Sequence, residues 1–185
     1  MDFLGFQNLR TLSVKETEHD FLVVAAVLSE PIGCPYCGAP SSLLQRHGWR
    51  SQSILDSPVR GKRVQISLFR LRFKCIKCGK TSKQPFVELD ERRSATKRLV
   101  EYTGRQSLRK TFATVGEEVG WSSKTVRSVF TDYIELLSKS VCFETPTCLG
   151  IDEVYIGRIA RCIITDNTRR GSDLVTLGNQ GTALR

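Results

Sequence analysis

The chain has 185 residues, with 28 Lys plus Arg against 19 Asp plus Glu and a formal charge of +9. Its 40% apolar and 25% charged composition is that of a globular protein and excludes wholesale disorder. The longest apolar run, Phe21 to Leu28, has eight residues, far short of the roughly 20 a membrane helix needs.

The first 30 residues also lack the basic start and long apolar stretch of a signal peptide. Seven cysteines, an odd number, argue against a complete disulfide framework. Together these features point away from a membrane protein and from a secreted miniprotein, and toward an intracellular, reducing compartment. The charge is concentrated: residues 34–110 carry net +13 and the remainder is nearly neutral. Such a block is an electrostatic footprint for phosphates, because each phosphate contact releases counterions. The plainer alternative is a solvated basic surface.

In chain order, residues 9–18 and 21–28 are expected as strands around the polar turn Glu18-His19-Asp20, forming an N-terminal β-hairpin domain over 1–33. Pro31 and Gly33 break the pattern. From Cys34 to Cys78 the sequence is expected to carry short strands and glycine turns. Val64-Gln65-Ile66-Ser67-Leu68 alternates, and then the apolar face moves to Phe69, Leu71 and Phe73. This one-residue phase shift predicts a bulge or a strand with two buried faces. Arg70, Arg72 and Lys74 fall on the opposite face of the second half as a basic ladder. After a boundary near Pro85, a helix is predicted over 93–103 and a helical zone over about 111–138, giving an all-α domain at 90–140. From Cys148 the composition returns to strand.

Two knuckles, Cys34-Pro35-Tyr36-Cys37-Gly38 and Cys75-Ile76-Lys77-Cys78-Gly79, define the segment 34–84 as a zinc ribbon. Two residues between cysteines let a tight turn aim both thiolates at one ion, and two such turns supply the four soft ligands of a tetrahedral Zn²⁺. The glycine after each second cysteine supplies positive φ, which lets backbone N–H groups approach the sulfurs. Buried free thiols or a redox CxxC are the alternatives. A closed Cys₄ shell has no position for a substrate water, so the ion is structural. His47 lies between the knuckles, either as a substitute ligand or, preferably, as a surface or DNA-contacting residue. Cys142, Cys148 and Cys162 read as buried apolar residues.

The segment from Phe112 to Val129 fits a helix-turn-helix. Val115 and Val119 face inward, Gly116 allows close approach of the second helix, and Gly120 takes the turn. Trp121 plugs the core, Ser122 or Ser123 caps the next helix, and Val126 and Val129 are its inward residues. Ser123, Lys124, Thr125, Arg127 and Ser128 then lie on the outward N-terminal part of the second helix, the part that enters a DNA major groove. An ordinary helical hairpin is the alternative. Glu117 and Glu118 are expected to face away from phosphates or to tune specificity. Arg93, Lys97 and Arg98 join Arg70, Arg72 and Lys74 as candidate phosphate contacts.

The order of these features, ending in Leu149-Gly150-Ile151-Asp152-Glu153-Val154 and Ile163-Ile164-Thr165-Asp166, resembles the bacterial insertion-sequence transposases of the ISL-three type. The resemblance implies an α+β multi-module fold: an N-terminal β-hairpin and zinc ribbon, an all-α helix-turn-helix, then a partial ribonuclease-H-like β-sheet at 147–185. It implies Asp152 as the first carboxylate of a DDE triad, whose intact domain holds Mg²⁺ ions that activate the attacking oxygen and stabilise the leaving one. Asp166 is assigned to a loop after the second strand and is not counted in the triad.

On this reading the catalytic domain is truncated and the chain does not catalyse alone. Its partner is double-stranded DNA, the terminal inverted repeats of the element, with a second copy or an intact transposase as a further partner. Its place is the bacterial cytoplasm, at the nucleoid. The rival readings are a zinc-ribbon and helix-turn-helix transcriptional regulator, and an active transposase completed by a separately encoded C-terminal part.

Overall fold

The computed structural model describes residues 3–140, 148–156, 159–166 and 174–176. The chain divides into two units, Met1–Ser138 and Lys139–Arg185.

The first unit is built on one sheet. Strands β1 (Leu9–Glu16) and β2 (Asp20–Val27) pair antiparallel. Their turn is closed by Thr17, whose Oγ1 donates to the Asp20 carbonyl at 2.9 Å and accepts from the Asp20 N–H at 3.0 Å. Strands β3 (Leu44–Val59) and β4 (Lys62–Cys75) form a long antiparallel hairpin. It reverses at Arg60-Gly61, where both residues have positive φ, 52° and 74°, the geometry that matches a two-residue turn to strand twist. Residues 44–75 are therefore one extended ribbon, not the expected run of short strands.

The N-terminal hairpin is not separate from this ribbon. β2 lies parallel to β4, with Asp20 opposite Arg63 and Ala26 opposite Phe69. β5 (Thr81–Lys83) pairs with the Cys75 end of β4. β6 (Leu89–Asp90) and β7 (Ala95–Thr96) complete the order β1-β2-β4-β3-β7-β6.

The phase shift in β4 has both expected features. Val64, Ile66, Leu68 and Arg70 are buried on one face, and Leu71, Phe73 and Cys75 on the other. A bulge lies in the partner strand: Arg46 faces Phe73 and Trp49 faces Leu71, so β3 spends one extra residue at His47-Gly48. On the first face, Phe21, Val23, Ala25 and Val27 of β2 join Ile54, Val64, Ile66 and Leu68, covered by Leu4, Phe6, Phe86 and Leu89. Phe6 meets Phe86 edge-on with centroids 5.6 Å apart. Each fully buried aliphatic chain here contributes roughly 2 kcal/mol of transfer free energy.

Leu55 points the other way and packs with the helices. Helix α1 (Lys97–Gln106) starts later than predicted, because residues 89–96 are spent on β6 and β7, and Thr96 caps it by accepting from the Leu99 N–H. Helices α2 (Phe112–Val119) and α3 (Ser123–Ser140) follow. Ala95, Leu99, Val115, Val119 and Val126 form their shared core with Tyr102, Phe112 and Trp121 around it. Gly104 lies against Tyr133, where a Cβ would come within 2.4 Å of the ring.

The second unit contains β8 (Leu149–Ile156), β9 (Ile159–Asp166) and β10 (Leu174–Thr176), an antiparallel sheet in the order β10-β9-β8. Asp166 ends β9, where a loop position was expected. Cys148 is exposed, against the expectation of burial, and Cys142 lies outside the described residues.

Candidate metal centre and nucleic-acid interface

The four cysteines come together as one group. Cys34 Sγ stands 3.7 Å from Cys78 Sγ, and Cys37 Sγ stands 3.8 Å from Cys75 Sγ. All four sulfurs lie within 4.8 Å of one another. Ligands at 2.3 Å from a tetrahedral Zn²⁺ stand about 3.8 Å apart, so these sulfurs already lie close to the edge lengths the ion imposes.

Local sequence dictates the arrangement. Gly38 and Gly79 take φ of 68° and 71°, and their N–H groups donate to the carbonyls of Cys34 and Cys75 at 3.0 and 2.9 Å, closing each knuckle. The first knuckle is further closed by the Cys34 N–H donating to the Ala39 carbonyl at 2.8 Å.

The N–H of Tyr36 is the main cause that lowers the Cys34 thiol to about 7, against desolvation and with help from Cys37 and Cys78. For Cys37, the Ala39 N–H acts to lower the thiol, but desolvation and the sulfurs of Cys34, Cys78 and Cys75 carry it up to about 11. A divalent cation among them replaces that mutual opposition with a shared counter-charge. The donor set thus fits a structural Zn²⁺ with no open position. His47 is exposed on the β3 bulge and is not one of the four grouped ligands.

Three arginines expected to meet phosphate are instead occupied by the protein. Arg70 is buried; its Nε and Nη2 donate to the Gln84 carbonyl at 2.9 and 2.7 Å, and its Nη1 pairs with Glu91. It shares strand parity with Val64, Ile66 and Leu68, so it continues the core face inward. Burial works to raise the Glu91 carboxyl, but Arg70, with Lys83 and Gln52, holds it below the ordinary carboxylate value. Arg93 is clamped between Asp90, at 2.8 Å, and Asp132 of α3.

Arg98 makes a two-point contact with Asp56, donates from Nη1 to the Leu4 carbonyl at 2.9 Å, and stacks 4.0 Å from the Phe6 centroid. Asp56, 1% exposed, also accepts from Thr96 Oγ1 at 2.6 Å and from the Ser57 N–H at 2.8 Å. Glu91, Asp132 and Asp56 lie 21 to 42 residues from the arginines they hold, so no local pattern announces those pairings; Asp90, three residues before Arg93, is the one local partner among these four. Lys74 and Lys97 are exposed and Arg72 is half-buried.

The helix pair has the geometry its residues demand. Gly120 takes φ 79°, and its N–H and that of Trp121 both donate to the Gly116 carbonyl at 2.9 Å. A Cβ on Gly116 would lie 2.5 Å from the Trp121 carbonyl oxygen, so only glycine fits that crossing. Ser122 caps α3 by accepting from the Thr125 N–H at 3.2 Å. Val115, Val119, Val126 and Val129 are buried. Ser123, Lys124, Arg127 and Ser128 are exposed and Thr125 half-exposed. Among the described residues neither Lys124 nor Arg127 is paired with a carboxylate; the Arg127 guanidinium lies 5.7 Å from the Phe112 centroid.

Glu118 is turned away from this face. It accepts from Tyr102 and, at 2.8 Å, from Lys110. Burial and the Glu118 carboxylate push the Tyr102 phenol up to about 12. Burial opposes the Glu118 charge, but Lys110 and Tyr102 hold its carboxyl below the ordinary value. Tyr102 therefore contributes stability that is full below the free-phenol value near 10 and lost as pH rises through about 12. Glu118 contributes stability present above the ordinary carboxylate value and lost as pH falls through its depressed one. In a spectrophotometric titration, one phenolate step near 12 should disappear in Tyr102→Phe. A variant that removes only a step near 10 contradicts the contact.

Asp152 lies on β8 opposite Ile163, exposed, with its Oδ1 accepting from the Glu153 N–H at 2.8 Å. Among the described residues it joins no group of three or more metal-ligating side chains. No helix among the described residues is long and apolar enough to cross a membrane.

Residues 30–78 match a family model described as the zinc-finger of transposase IS204/IS1001/IS1096/IS1165. The matched segment contains all four grouped cysteines, and it is similar to a transposase zinc ribbon. No curated protein and no solved structure matches the chain.

Proposed function

We propose that the chain is the DNA-binding part of an insertion-sequence transposase and that it recognises the terminal inverted repeats of its element. The match of residues 30–78 to a transposase zinc finger carries this reading. α2 and α3 act as a helix-turn-helix. α3 enters the major groove by its N-terminal turns, where Lys124 and Arg127 are exposed and, among the described residues, unmatched by carboxylates. Arg127 reads a base edge by two parallel N–H bonds, the pairing that guanine offers, while Ser123, Thr125 and Ser128 hold the helix on phosphates and bases. Lys97, exposed at the start of α1, adds a phosphate contact.

Asp152, on the first strand of the three-stranded sheet, stands as the first carboxylate of a DDE site. Strand transfer needs further carboxylates to hold Mg²⁺ ions, and Asp152 supplies one of that set.

Selection of bound duplexes from fragments of insertion-element ends should recover a repeat sequence. Arg127→Ala should then lose about 1–3 kcal/mol of binding to it and relax specificity at one position. Unchanged discrimination by a folded Arg127→Ala removes α3 from the reading role.

A further inference from the structure

We infer that one face of the ribbon, spanning β3, β4 and β5 beside the metal centre, is a second DNA surface that grips the phosphodiester backbone without reading sequence. The inference rests on the reading of the chain as a DNA-binding protein. It adds a separate site, with Arg50 and Lys83 as contacts that the sequence pattern does not single out.

Register assembles the face. Arg50 stands directly opposite Arg70, Lys83 opposite Arg72, and Thr81 opposite Lys74. Partners across a ladder point to the same side, as do residues two apart along a strand. Arg50, Arg70, Arg72, Lys74 and Lys83 therefore share one face, on three adjacent strands. Neighbouring strands are about 4.8 Å apart and alternate residues about 6.8 Å apart, all within one Debye length at physiological salt.

Like charges set opposite one another in a sheet are destabilising. The fold relieves this at one point. Glu91 pairs with Arg70 and reaches Lys83 at 3.6 Å. Arg70, thus buried, is a positioning residue beneath the face and does not itself touch the ligand. Among the described residues no carboxylate is paired with Arg50, Arg72 or Lys74, and Arg50 and Lys74 are exposed. Arg72 lies beside Gly48 of the bulge, and its Nε is buried without an acceptor. A cationic sheet face with a spare N–H donor at Arg72 and a single carboxylate, Glu91, set against five cations is completed by a polyanion. Duplex DNA is the polyanion that the proposed contacts of α3, Lys124 and Arg127, also address.

The test uses the full zinc-loaded chain and a duplex of random sequence, titrated over a range of salt concentrations. Arg50→Gln, Lys74→Gln and Lys83→Gln are combined; all three side chains are exposed, so the fold is kept, which a melting curve verifies. The slope of log K against log salt should become shallower by about 2–3, since each phosphate contact contributes about 0.9. Discrimination between a repeat end and random duplex should stay unchanged. Independently, DNA should protect the Lys74 and Lys83 amines of the unaltered chain from acetylation.

An unchanged slope in the folded variant, or unprotected lysines, overturns the ribbon-face site while leaving the α3 reading intact. Failure of the unaltered chain to bind any duplex overturns both.

Discussion

Zinc removal is expected to unfold the head of the ribbon while leaving the main sheet folded. The purified chain should contain about one Zn²⁺ per molecule. A strong chelator should abolish amide-exchange protection around the two knuckles, Cys34–Gly38 and Cys75–Gly79. The reason is the size of the local core. Around the sulfurs only Cys34, Ala39 and Cys75 are buried, with Leu43 and Leu44 partly so. That is too little apolar area to hold two knuckles together, whereas metal ligation in such modules supplies an apparent 10–16 kcal/mol, roughly, of binding free energy that is also folding free energy.

Cys75→Ser should reproduce the chelated state, since Cys75 is 1% exposed and its sulfur is one of the four grouped ligand atoms. The sheet core around Val64, Ile66 and Leu68 draws nothing from the metal and should melt as a separate, later transition. A metal-free chain with fully protected knuckles sinks the zinc assignment.

The second large effect is expected at Asp56. Asp56→Ala should destabilise the first unit by on the order of 3 kcal/mol in a urea titration, because it strands three partners at once. The Thr96 hydroxyl, the Ser57 N–H and the Arg98 guanidinium all donate to this one buried carboxylate. The Arg98 side chain is 40% exposed, so water meets part of its charge and the loss stays at the low end of what a broken buried pair costs. Asp56→Asn keeps one acceptor and should lose less. Equal stability of Asp56→Ala and the unaltered chain would show that the node between β3, α1 and the Leu4 carbonyl holds nothing together.

The parts of this molecule that follow from nearby residues were legible in its sequence. Cysteine spacing with a following glycine announces a knuckle, because the turn is made within five residues. Gly116, Gly120 and Ser122 announce their crossing, turn and cap for the same reason, and the buried valines of α2 and α3 sit at helical spacing.

What depends on distant chain was not legible. The parallel pairing of β2 with β4 joins residues 43 apart, and nothing in either strand names the other. Arg70 and Arg98 carry the same charge as Arg127, but whether a carboxylate waits for them is decided by residues elsewhere in the fold; for Arg93 only the Asp132 half of the clamp is distant, since Asp90 lies three residues before it. One signal was available for Arg70: it continues the even-numbered apolar series of Val64, Ile66 and Leu68 before the face changes. For Asp56 the parity with Ile54 was the corresponding hint. Arg50 and Lys83 emerge only from cross-strand register.

The β3–β4 hairpin has a consequence for spacing. The turn before α3 abuts it at Leu55 and Arg63, where a Cβ on Gly120 would meet both side chains. Cys75, a metal ligand, closes its other end. Twelve residues of strand separate Arg63 from Cys75, about 40 Å at roughly 3.3 Å per residue. The hairpin is thus a ruler with a fixed scale. Removing two residues from each strand would bring its ends about 7 Å closer and keep every side chain on its own face, whereas removing one would turn the remainder over. Away from a bulge such as that at His47-Gly48, length in this ribbon changes in even steps, so the interval between the metal knuckles and the helix pair comes in discrete values set by the pleat.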